Sequence, residues 1–377
     1  MQAVTTLNGS SLVNPDAVLE KLRDIAKNEL APLAGRIDQQ GFYPVDTMRA
    51  LGGAGAFSAH LDRYGQRFDL ALSAMQTVSR YCGSTGFITW CQDVCGLYME
   101  QSENSHLLSR LDSQAFAKTL GGTGLSNPMK SLTGIEAMAL HATKSPRGYR
   151  VSGTLPWVSN IASGQYFAAV AAVKDDKSKA SHEIFFLIDI RDRVKLNKCP
   201  KFSGMEGTST WGVTLDNYEV DETNIIADPA QPFIKRIRPA FVLLQMGWGF
   251  GVIEGAIASC WEVENSLGHV NQYLHNRPSQ LEDELAELRE RVMLLARDPY
   301  CGDKHHVINV LDARAQTSEL ALKASESALL HQGARGYLMD SDPQRRVREA
   351  HFVAIVTPAI KHLRWEISKL MSENMPA

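Results

Sequence analysis

The chain has 377 residues, 44% of them hydrophobic, which is long enough to bury a large core in two or three substructures. Its 39 lysines and arginines are offset by 42 aspartates and glutamates, and the formal net charge of -3 provides no basic field for a nucleic acid backbone or an anionic membrane surface. Small molecules or further copies of the chain are therefore the expected partners.

Targeting and cysteine signals favour a cytoplasmic protein. The first 22 residues lack the basic start, apolar core and small-residue cleavage site of a secretory signal, and no uninterrupted apolar run reaches about 18 residues. The six cysteines show no zinc-type spacing, and Cys91 and Cys95 share one helix face, which is typical of packing. We expect neither a metal site nor a membrane segment.

The first third of the chain has a helical period. Asn14 is a candidate N-cap with Pro15 in the first helical turn, and apolar residues then recur along one stripe. Further on, Gly83 is predicted to end one apolar helix and Ser84 to cap the next. The sequence predicts an N-terminal helical domain over residues 1–118.

From about residue 120 the period becomes that of strands. Residues 148–160, 166–174 and 182–190 are short runs of β-branched and aromatic residues separated by Gly, Pro, Ser and Asp. Parallel pairing needs crossovers of a dozen or more residues, so we predict an antiparallel sheet or barrel. This middle β-domain is expected over residues 119–230.

The helical period returns beyond Pro239. A long helix is predicted from about residue 303 to 332, with Gly333 in the stop position. These helices predict a C-terminal bundle over residues 231–377.

Near the end of the chain, the stretch HFVAIVTPAIKHLR contains a helix break at Thr357-Pro358. Thr357 can act as an N-cap and Pro358 as the first residue of a last helix, because the missing N–H of proline would have no partner there.

Two glycine-rich stretches do not form a dinucleotide loop. GWGFG at 247–251 is followed by Glu254 where a third glycine is required, and it fits a close helix crossing better. GGTGLS at 121–126 is followed by Asn127, so it also lacks the third glycine. Adjacent residues on a helix point about 100° apart, so His305 and His306 cannot share a metal.

Four stretches resemble the acyl-CoA dehydrogenase superfamily of flavoproteins, in the order in which that family carries them: residues 29–57, 125–173, 204–226 and 331–350. The resemblance covers nearly the whole chain. It implies a mostly helical fold with a central antiparallel β-domain, in which an N-terminal helical domain and a C-terminal four-helix bundle flank a β-barrel-like middle domain.

The resemblance also implies a cofactor, FAD or alternatively FMN, between the β-domain and the C-terminal helices. Three groups of residues match the family's cofactor contacts. Leu125 and Ser126 match positions that face the isoalloxazine ring, and Ser131 matches a pyrophosphate contact. The remaining matches are Trp157, Val158 and Ser159 beside the reactive edge of the ring, and Gly333 and Gly336 in a turn that approaches the cofactor of a partner subunit.

The family's catalytic carboxylate is missing from both of its usual positions. The commoner position, nine residues after the arginine that matches Arg348, is Thr357, and the alternative position falls at or near Phe241. A neutral hydroxyl is not a competent base for an α-proton without an activator. Glu206 and His351 remain candidates, although nothing in the sequence supports either, so the catalytic residue stays unknown.

Two departures affect the cofactor. Asn127 replaces an acidic residue of the family, and the Arg-x-x-Phe-Gly segment with which a neighbouring subunit grips the FAD pyrophosphate is not recognisable around residues 269–280. Both favour weaker binding of FAD or a different flavin.

Three functions remain open. The first is oxidation of an acyl-CoA or acyl-CoA-like substrate at its α,β carbons, with hydride transfer to flavin N5 and an unidentified base. The second is a monooxygenase that uses reduced flavin from a separate reductase and needs no such base, and the third is a non-catalytic flavin-binding relative. By resemblance the partners are acyl-CoA, an electron acceptor or flavin reductase, and further subunits in a homotetramer or homodimer.

Overall fold

The computed structural model describes residues 14–174, 180–191 and 193–372, and the expected lack of a signal sequence in residues 1–13 lies outside these ranges. Helices form both ends of the described chain and strands form its middle, so the predicted fold class is confirmed. The helices are α1 (Pro15–Ile25), α2 (Ala34–Gln40), α3 (Val45–Gly53), α4 (Phe68–Tyr81), α5 (Gly83–Gln101), α6 (Ser105–Ala115), α7 (Ser126–Leu132), α8 (Ala230–Trp261), α9 (Glu264–Asn271), α10 (Pro278–Leu295), α11 (Lys304–Gln332), α12 (Asp342–Ile355) and α13 (Ile360–Ser372).

One mixed sheet forms the middle of the chain. Its strands are β1 (Gly121–Thr123), β2 (Leu140–Ser145), β3 (Gly148–Val158), β4 (Tyr166–Lys174), β5 (Ala180–Asp189), β6 (Val194–Lys198), β7 (Trp211–Asp221) and β8 (Ile225–Ala227). Their order is β6-β7-β3-β2-β4-β5-β8, with β1 paired to β4. Most pairs are antiparallel, but β4 pairs in parallel with β1 and β2. The prediction of a purely antiparallel sheet was therefore wrong, because β3 itself provides the long connection between β2 and β4.

The sheet joins the helices through strand β4, which is buried on both faces. Phe167 and Ala169 pack into the core of the sheet, whereas Ala168 and Val170 pack into the larger core that the helices share. This alternation is the two-residue period of a strand. The boundaries at residues 118/119 and 230/231 stay a prediction.

The predicted helix starts are confirmed at α1 and corrected at α5. Asn14 Oδ1 accepts a hydrogen bond from Asp16 N at 3.1 Å, as expected of an N-cap. Gly83 does not end α4 and Ser84 does not cap α5, because α5 begins at Gly83 and Cys82 is its N-cap. The Gly83 N–H donates to the carboxylate of Glu349 on α12 at 2.8 Å, a partner too distant in the chain for a local pattern to show.

Helix α8 lies at the centre of the bundle and crosses α4 and α11 closely. It begins at Ala230, so Pro239 lies inside it rather than before it. A Cβ at Gly247 or Gly251 would overlap the backbone of α4, and one at Gly249 would overlap Thr317 on α11. The predicted close helix crossing at GWGFG is confirmed.

Helix α8 is also long and apolar enough to cross a membrane, the single such helix among the described residues. Its most apolar 18-residue window is 94% buried inside the fold, as in the core helix of a compact bundle.

The break between α12 and α13 differs from the prediction. Helix α12 ends at Ile355 and α13 begins at Ile360, so Thr357 and Pro358 belong to neither helix and Thr357 is not an N-cap. The peptide bond between these two residues is cis. The side chain of Thr357 has a tertiary partner instead, as described below.

We predict that Gly251→Ala lowers the free energy of unfolding by about 3 kcal/mol, because the new Cβ would overlap the Gln76 carbonyl oxygen and the Ser79 side chain on α4. The control is Gly53→Ala in α3, where a Cβ meets no atom within 4 Å and less backbone entropy is lost on folding. That change should leave stability equal or raise it by up to about 1 kcal/mol. Chemical denaturation measures both, and equal effects would contradict the close crossing.

His60 and Asp93 face each other in the interior of the N-terminal helices. Both side chains are fully buried, and His60 Nδ1 lies 3.7 Å from Asp93 Oδ1. Neither carboxylate oxygen of Asp93 has a hydrogen-bond partner among the described residues. Burial raises the pKa of Asp93 well above its usual range and lowers the pKa of His60 to about 4. Burial therefore favours the uncharged form of both side chains.

We predict that Asp93→Asn stabilises the protein and that its gain grows as the pH rises above about 4. The raised pKa means that the folded protein keeps the Asp93 proton while the unfolded chain releases it. This group therefore contributes stability at low pH that is lost as the pH rises, by about 1.4 kcal/mol per pH unit. Denaturation between about pH 5.5 and pH 8 measures the difference between variant and wild type.

The matched control is Asp283→Asn on the exposed side of α10, whose difference from wild type should not vary with pH. A constant difference for Asp93→Asn over the same range would mean that Asp93 carries no proton in the folded protein.

Candidate functional site

Two strand ends meet next to α7. Thr123 at the end of β1 forms an isolated bridge with Ser159, the residue that follows β3. A Cβ at Gly122 would overlap the carbonyl oxygen of Ser159, and one at Gly124 would lie 3.0 Å from Leu155. The glycines of GGTGLS therefore let β1 approach β3, which brings Ser159 to Thr123, three residues before Ser126.

The three predicted residues around α7 have different surroundings. Leu125 precedes the helix and its side chain is buried in the core, whereas Ser126 is the first helical residue and is exposed. Ser131 is partly buried and lies five residues further along the same helix, about 140° around its axis from Ser126. The structure thus does not bring Ser131 together with Ser126.

The triplet at the end of β3 is also divided. Trp157 is 54% exposed and its ring packs edge-on against Phe202, whereas Val158 is buried in the core of the sheet. The Ser159 hydroxyl forms a hydrogen bond of 2.7 Å with the hydroxyl of Thr210, which precedes β7. Of these three residues, therefore, only Trp157 and Ser159 have side chains outside the core at the end of β3.

Asn160 fixes this end of β3, and sequence reasoning missed it. Its φ of +60° turns the chain out of the strand, a conformation that asparagine tolerates better than most residues. Its side chain donates to the Gly121 carbonyl oxygen at 2.8 Å and accepts from the Tyr43 hydroxyl at 2.8 Å. Asparagine after a run of β residues was the available signal.

The helix break reaches the same place from the C-terminal bundle. The Thr357 hydroxyl forms a hydrogen bond of 2.9 Å with the Ser126 hydroxyl, so the usual base position of the family and the predicted ring contact touch each other. The Thr357 carbonyl oxygen accepts from Gln245 Nε2 on α8 at 3.0 Å. The break is thus tied to α7 by its side chain and to α8 by its backbone.

None of the other three candidate residues is shown as a free base at this place. Phe241 on α8 is 2% exposed, and its ring packs on those of Trp90 and Tyr98. Glu206 accepts the backbone N–H of Phe202 at 2.5 Å and therefore holds a loop. His351 is exposed on α12, where its Nδ1 lies 2.7 Å from the Val347 carbonyl oxygen.

The Asn127 side chain closes the loop after α7. It accepts from Ala139 N at 2.8 Å and donates to one carboxylate oxygen of Glu136 at 2.8 Å, while Lys130 bonds the other oxygen. Burial alone would raise the pKa of Glu136, but Lys130 and Asn127 outweigh it and hold that pKa below its usual range. A carboxylate held in this way is a weak base.

The glycines at the end of α11 take up the predicted turn. Gly333 follows the helix with a φ of +61°, and Gly336 is buried against Gln332 and Pro343. Their predicted approach to the cofactor of a partner subunit stays a prediction.

In the region where the pyrophosphate grip is expected, the arginine is already bound to other residues of the same chain. Arg277 precedes α10, pairs with the carboxylate of Glu264 and lies 3.2 Å from His331 Nε2. It is therefore not available to a phosphate of a neighbouring subunit.

The strand ends fit a flavin ring. Their accessible groups are the neutral hydroxyls of Ser126, Ser159 and Thr357 and the exposed indole of Trp157. An isoalloxazine ring offers a flat face to an aromatic side chain, and its carbonyl and ring nitrogen groups bond hydroxyls and backbone amides. Among the described residues, no group of three or more His, Cys, Asp or Glu side chains is placed to hold a metal.

Comparison with known proteins shows what the chain is similar to. Residues 15–102 match the family model of the acyl-CoA dehydrogenase N-terminal domain. The probable acyl-CoA dehydrogenase YngJ of Bacillus subtilis is 24% identical over 360 residues, which cover 90% of this chain and 92% of YngJ.

Two solved structures share the fold. Butyryl-CoA dehydrogenase from Megasphaera elsdenii has a TM-score of 0.82 and 17% identity, covering 99% of this chain and 100% of that one. FMN-bound TdsC from Paenibacillus sp. A11-2, a dibenzothiophene monooxygenase, has a TM-score of 0.80 and 16% identity, covering 95% of this chain and 98% of that one. The same fold therefore carries dehydrogenase and monooxygenase chemistry.

Proposed function

Because the chain belongs to the acyl-CoA dehydrogenase superfamily, we propose that it is a flavin-dependent oxidoreductase that binds FAD and oxidises an acyl-CoA or a similar acyl thioester at its α,β carbons. One observation carries the proposal: the ends of β1 and β3, which lead into the predicted ring contacts, lie together, and the break between α12 and α13 contacts Ser126 beside them. The similarity to curated dehydrogenases over about nine-tenths of the chain supports the substrate class.

The residues have separate tasks in this proposal. The hydroxyls of Ser126 and Ser159 would hold the flavin, and Trp157 would cover part of its ring. When bound, the flavin supplies the acceptor for a hydride. The chain itself must orient the acyl group, exclude water and remove the α-proton.

Removal of the proton is the step for which the site provides no carboxylate. Ser126 and Thr357 satisfy each other by a hydrogen bond, and neither hydroxyl contacts a carboxylate or histidine among the described residues. This neutral pair is the specific observation that favours a second candidate, a monooxygenase that works with reduced flavin and oxygen. Such a reaction needs no base for an α-proton.

The choice of flavin follows from the occupied arginine. Without a free cation at the position of Arg277, the pyrophosphate of FAD gains little over the single phosphate of FMN. FMN is therefore the alternative cofactor.

A second copy of the chain is expected to cover the turn after α11. Tyr337, Leu338 and Met339 are large apolar residues that are exposed next to Gly336, where the family resemblance places a partner subunit. We propose a homodimer or homotetramer, with an electron acceptor or flavin reductase as a further partner.

The proposed dehydrogenase predicts that an acyl-CoA bleaches the bound flavin without oxygen. The protein is loaded with FAD, and in parallel with FMN, and titrated anaerobically with short, medium and branched acyl-CoAs while the visible spectrum is recorded. Loss of the oxidised flavin band is the expected result, because the reducing equivalents stay on the cofactor when no acceptor is present.

An unchanged band, with flavin demonstrably bound, would contradict the dehydrogenase and favour the second candidate. In that case the protein is mixed with chemically reduced flavin and oxygen. If the protein is a monooxygenase, the oxidised flavin band should return more slowly with the protein than with free flavin. If the band returns at the same rate in both, the non-catalytic flavin-binding relative is the remaining hypothesis. Acyl-carnitine, which lacks the CoA thioester, is the control ligand.

We also predict that Thr357→Glu raises acyl-CoA dehydrogenation by about tenfold or more, because a positioned base typically contributes at least 10²-fold. The control is Thr357→Gln, which has the same length but no basic carboxylate, and it should give no gain. Flavin reduction by acyl-CoA is measured for both variants. No gain with Glu, with fold and flavin binding intact, would count against a dehydrogenase-like position for residue 357.

A further inference from the structure

Arg314 on α11 is a fully buried arginine that has no carboxylate partner among the described residues. It is 0% exposed, and its guanidinium donates to three neutral acceptors: Gln245 Oε1 at 2.9 Å, the Val353 carbonyl oxygen at 2.7 Å, and the Ser318 hydroxyl. Burial lowers its pKa to about 9, which leaves it charged at neutral pH. A buried charge is costly, so each of these bonds is needed.

The Val353 carbonyl is one of the last four of α12, which have no N–H partner within an α-helix. The negative end of the helix dipole also lies there, and it partly offsets the positive charge of Arg314. Arg314 thus fixes the end of α12, four residues before Thr357.

Gln245 joins this arginine to the helix break. Its Oε1 accepts from Arg314, so its Nε2 must face the other way, and it donates to the Thr357 carbonyl oxygen at 3.0 Å. An arginine has no acceptor, which excludes the flipped orientation of the amide. The side chain of Gln245 is itself fully buried.

We propose that Arg314 and Gln245 are positioning residues that hold the Thr357 hydroxyl against Ser126. The bonds run in series: Arg314 orients the Gln245 amide, the amide fixes the Thr357 carbonyl, and the fixed backbone presents the hydroxyl to α7. Neither residue touches the strand ends directly. Their effect on the cofactor rests on the proposed function, whereas their effect on the break does not.

Gln245→Glu separates the two halves of this chain of bonds. One carboxylate oxygen can still accept from Arg314 and provides it with a counter-ion, so the fold should be retained. The other oxygen faces the Thr357 carbonyl oxygen and cannot donate to it. The variant therefore releases the break while it keeps Arg314 paired.

The test measures hydrogen exchange of peptides that cover residues 353–363, without flavin. Gln245→Glu should exchange about tenfold faster than wild type in this segment, the effect of one lost hydrogen bond, with peptides of α10 unchanged. The matched control is Gln101→Glu at the end of α5, where a partly exposed amide oxygen also accepts from an arginine, Arg236, and this change should leave residues 353–363 unchanged. Exchange within twofold of wild type in Gln245→Glu, with the protein folded, would overturn the proposal.

If Gln245→Glu does not fold, Gln245→Asn gives the same measurement, because its shorter amide cannot reach both partners and adds no charge. Faster exchange over 353–363 supports the proposal, and unchanged exchange overturns it.

Flavin binding provides a second measurement. The dissociation constant for FAD should rise about tenfold in Gln245→Glu and stay unchanged in Gln101→Glu. If wild-type protein binds neither FAD nor FMN, the proposed function fails, and the hydrogen-exchange result alone still decides whether Arg314 and Gln245 hold the break. Equal dissociation constants together with unchanged exchange would reject both residues as positioning residues.

Discussion

The arrangement of the whole bundle depends on how closely α8 approaches its neighbours. Gly247, Gly251 and Gly255 leave no side chain between α8 and α4, and Gly249 leaves none against α11. With a methyl group at each position the helices would stand further apart, and buried contacts at 2.9 to 3.0 Å would not form. Gln245 could then not bond Arg314 and Thr357 at once, so the packing of the core sets the position of the helix break.

The site that results from this packing is built from neutral groups. Hydroxyls of Ser126, Ser159 and Thr357 occupy the positions where the helices and the sheet meet, and Glu136, the first carboxylate that follows Ser126 in the chain, is held by Lys130 and Asn127. Removal of an α-proton requires a base, and an accessible carboxylate of suitable pKa can act as one. The proposed site therefore provides hydroxyls for a flavin ring but no free carboxylate that could deprotonate an acyl group.

Much of the fold could be predicted from the sequence, because it depends on local periodicity. The strands over 148–158 and 166–174 and the helix that ends before Gly333 follow from alternation, helical period and stop residues. The parallel pairing of β4 and the hydrogen bond from the Gly83 N–H at the start of α5 to Glu349 could not be predicted, because both depend on partners far away in the chain.

The candidate site was predictable only in part, for the same reason. A resemblance over short stretches identified Ser126 and Thr357, but not that they touch. Gln245 and Arg314 were missed, because each stands alone among apolar or small residues and neither forms a motif. The signal that could have identified Arg314 is its place as a lone arginine in α11 among the buried residues Leu311, Ala313, Ala315 and Thr317. Arginine is almost never fully buried without partners.

Two arginines of the C-terminal bundle, the partly buried Arg277 and the fully buried Arg314, show how the chain distributes charge. Arg277 is neutralised by Glu264, so the region where a second subunit is expected carries no net charge from this pair. Arg314 is bonded by an amide, a hydroxyl and a helix-end carbonyl, so its charge remains uncompensated by any carboxylate contact in the described chain. A carboxylate in place of Gln245 would lower the cost of burying Arg314 but would provide no donor for the Thr357 backbone. The neutral amide is the less stabilising partner for the arginine, and it is the one that can hold the helix break.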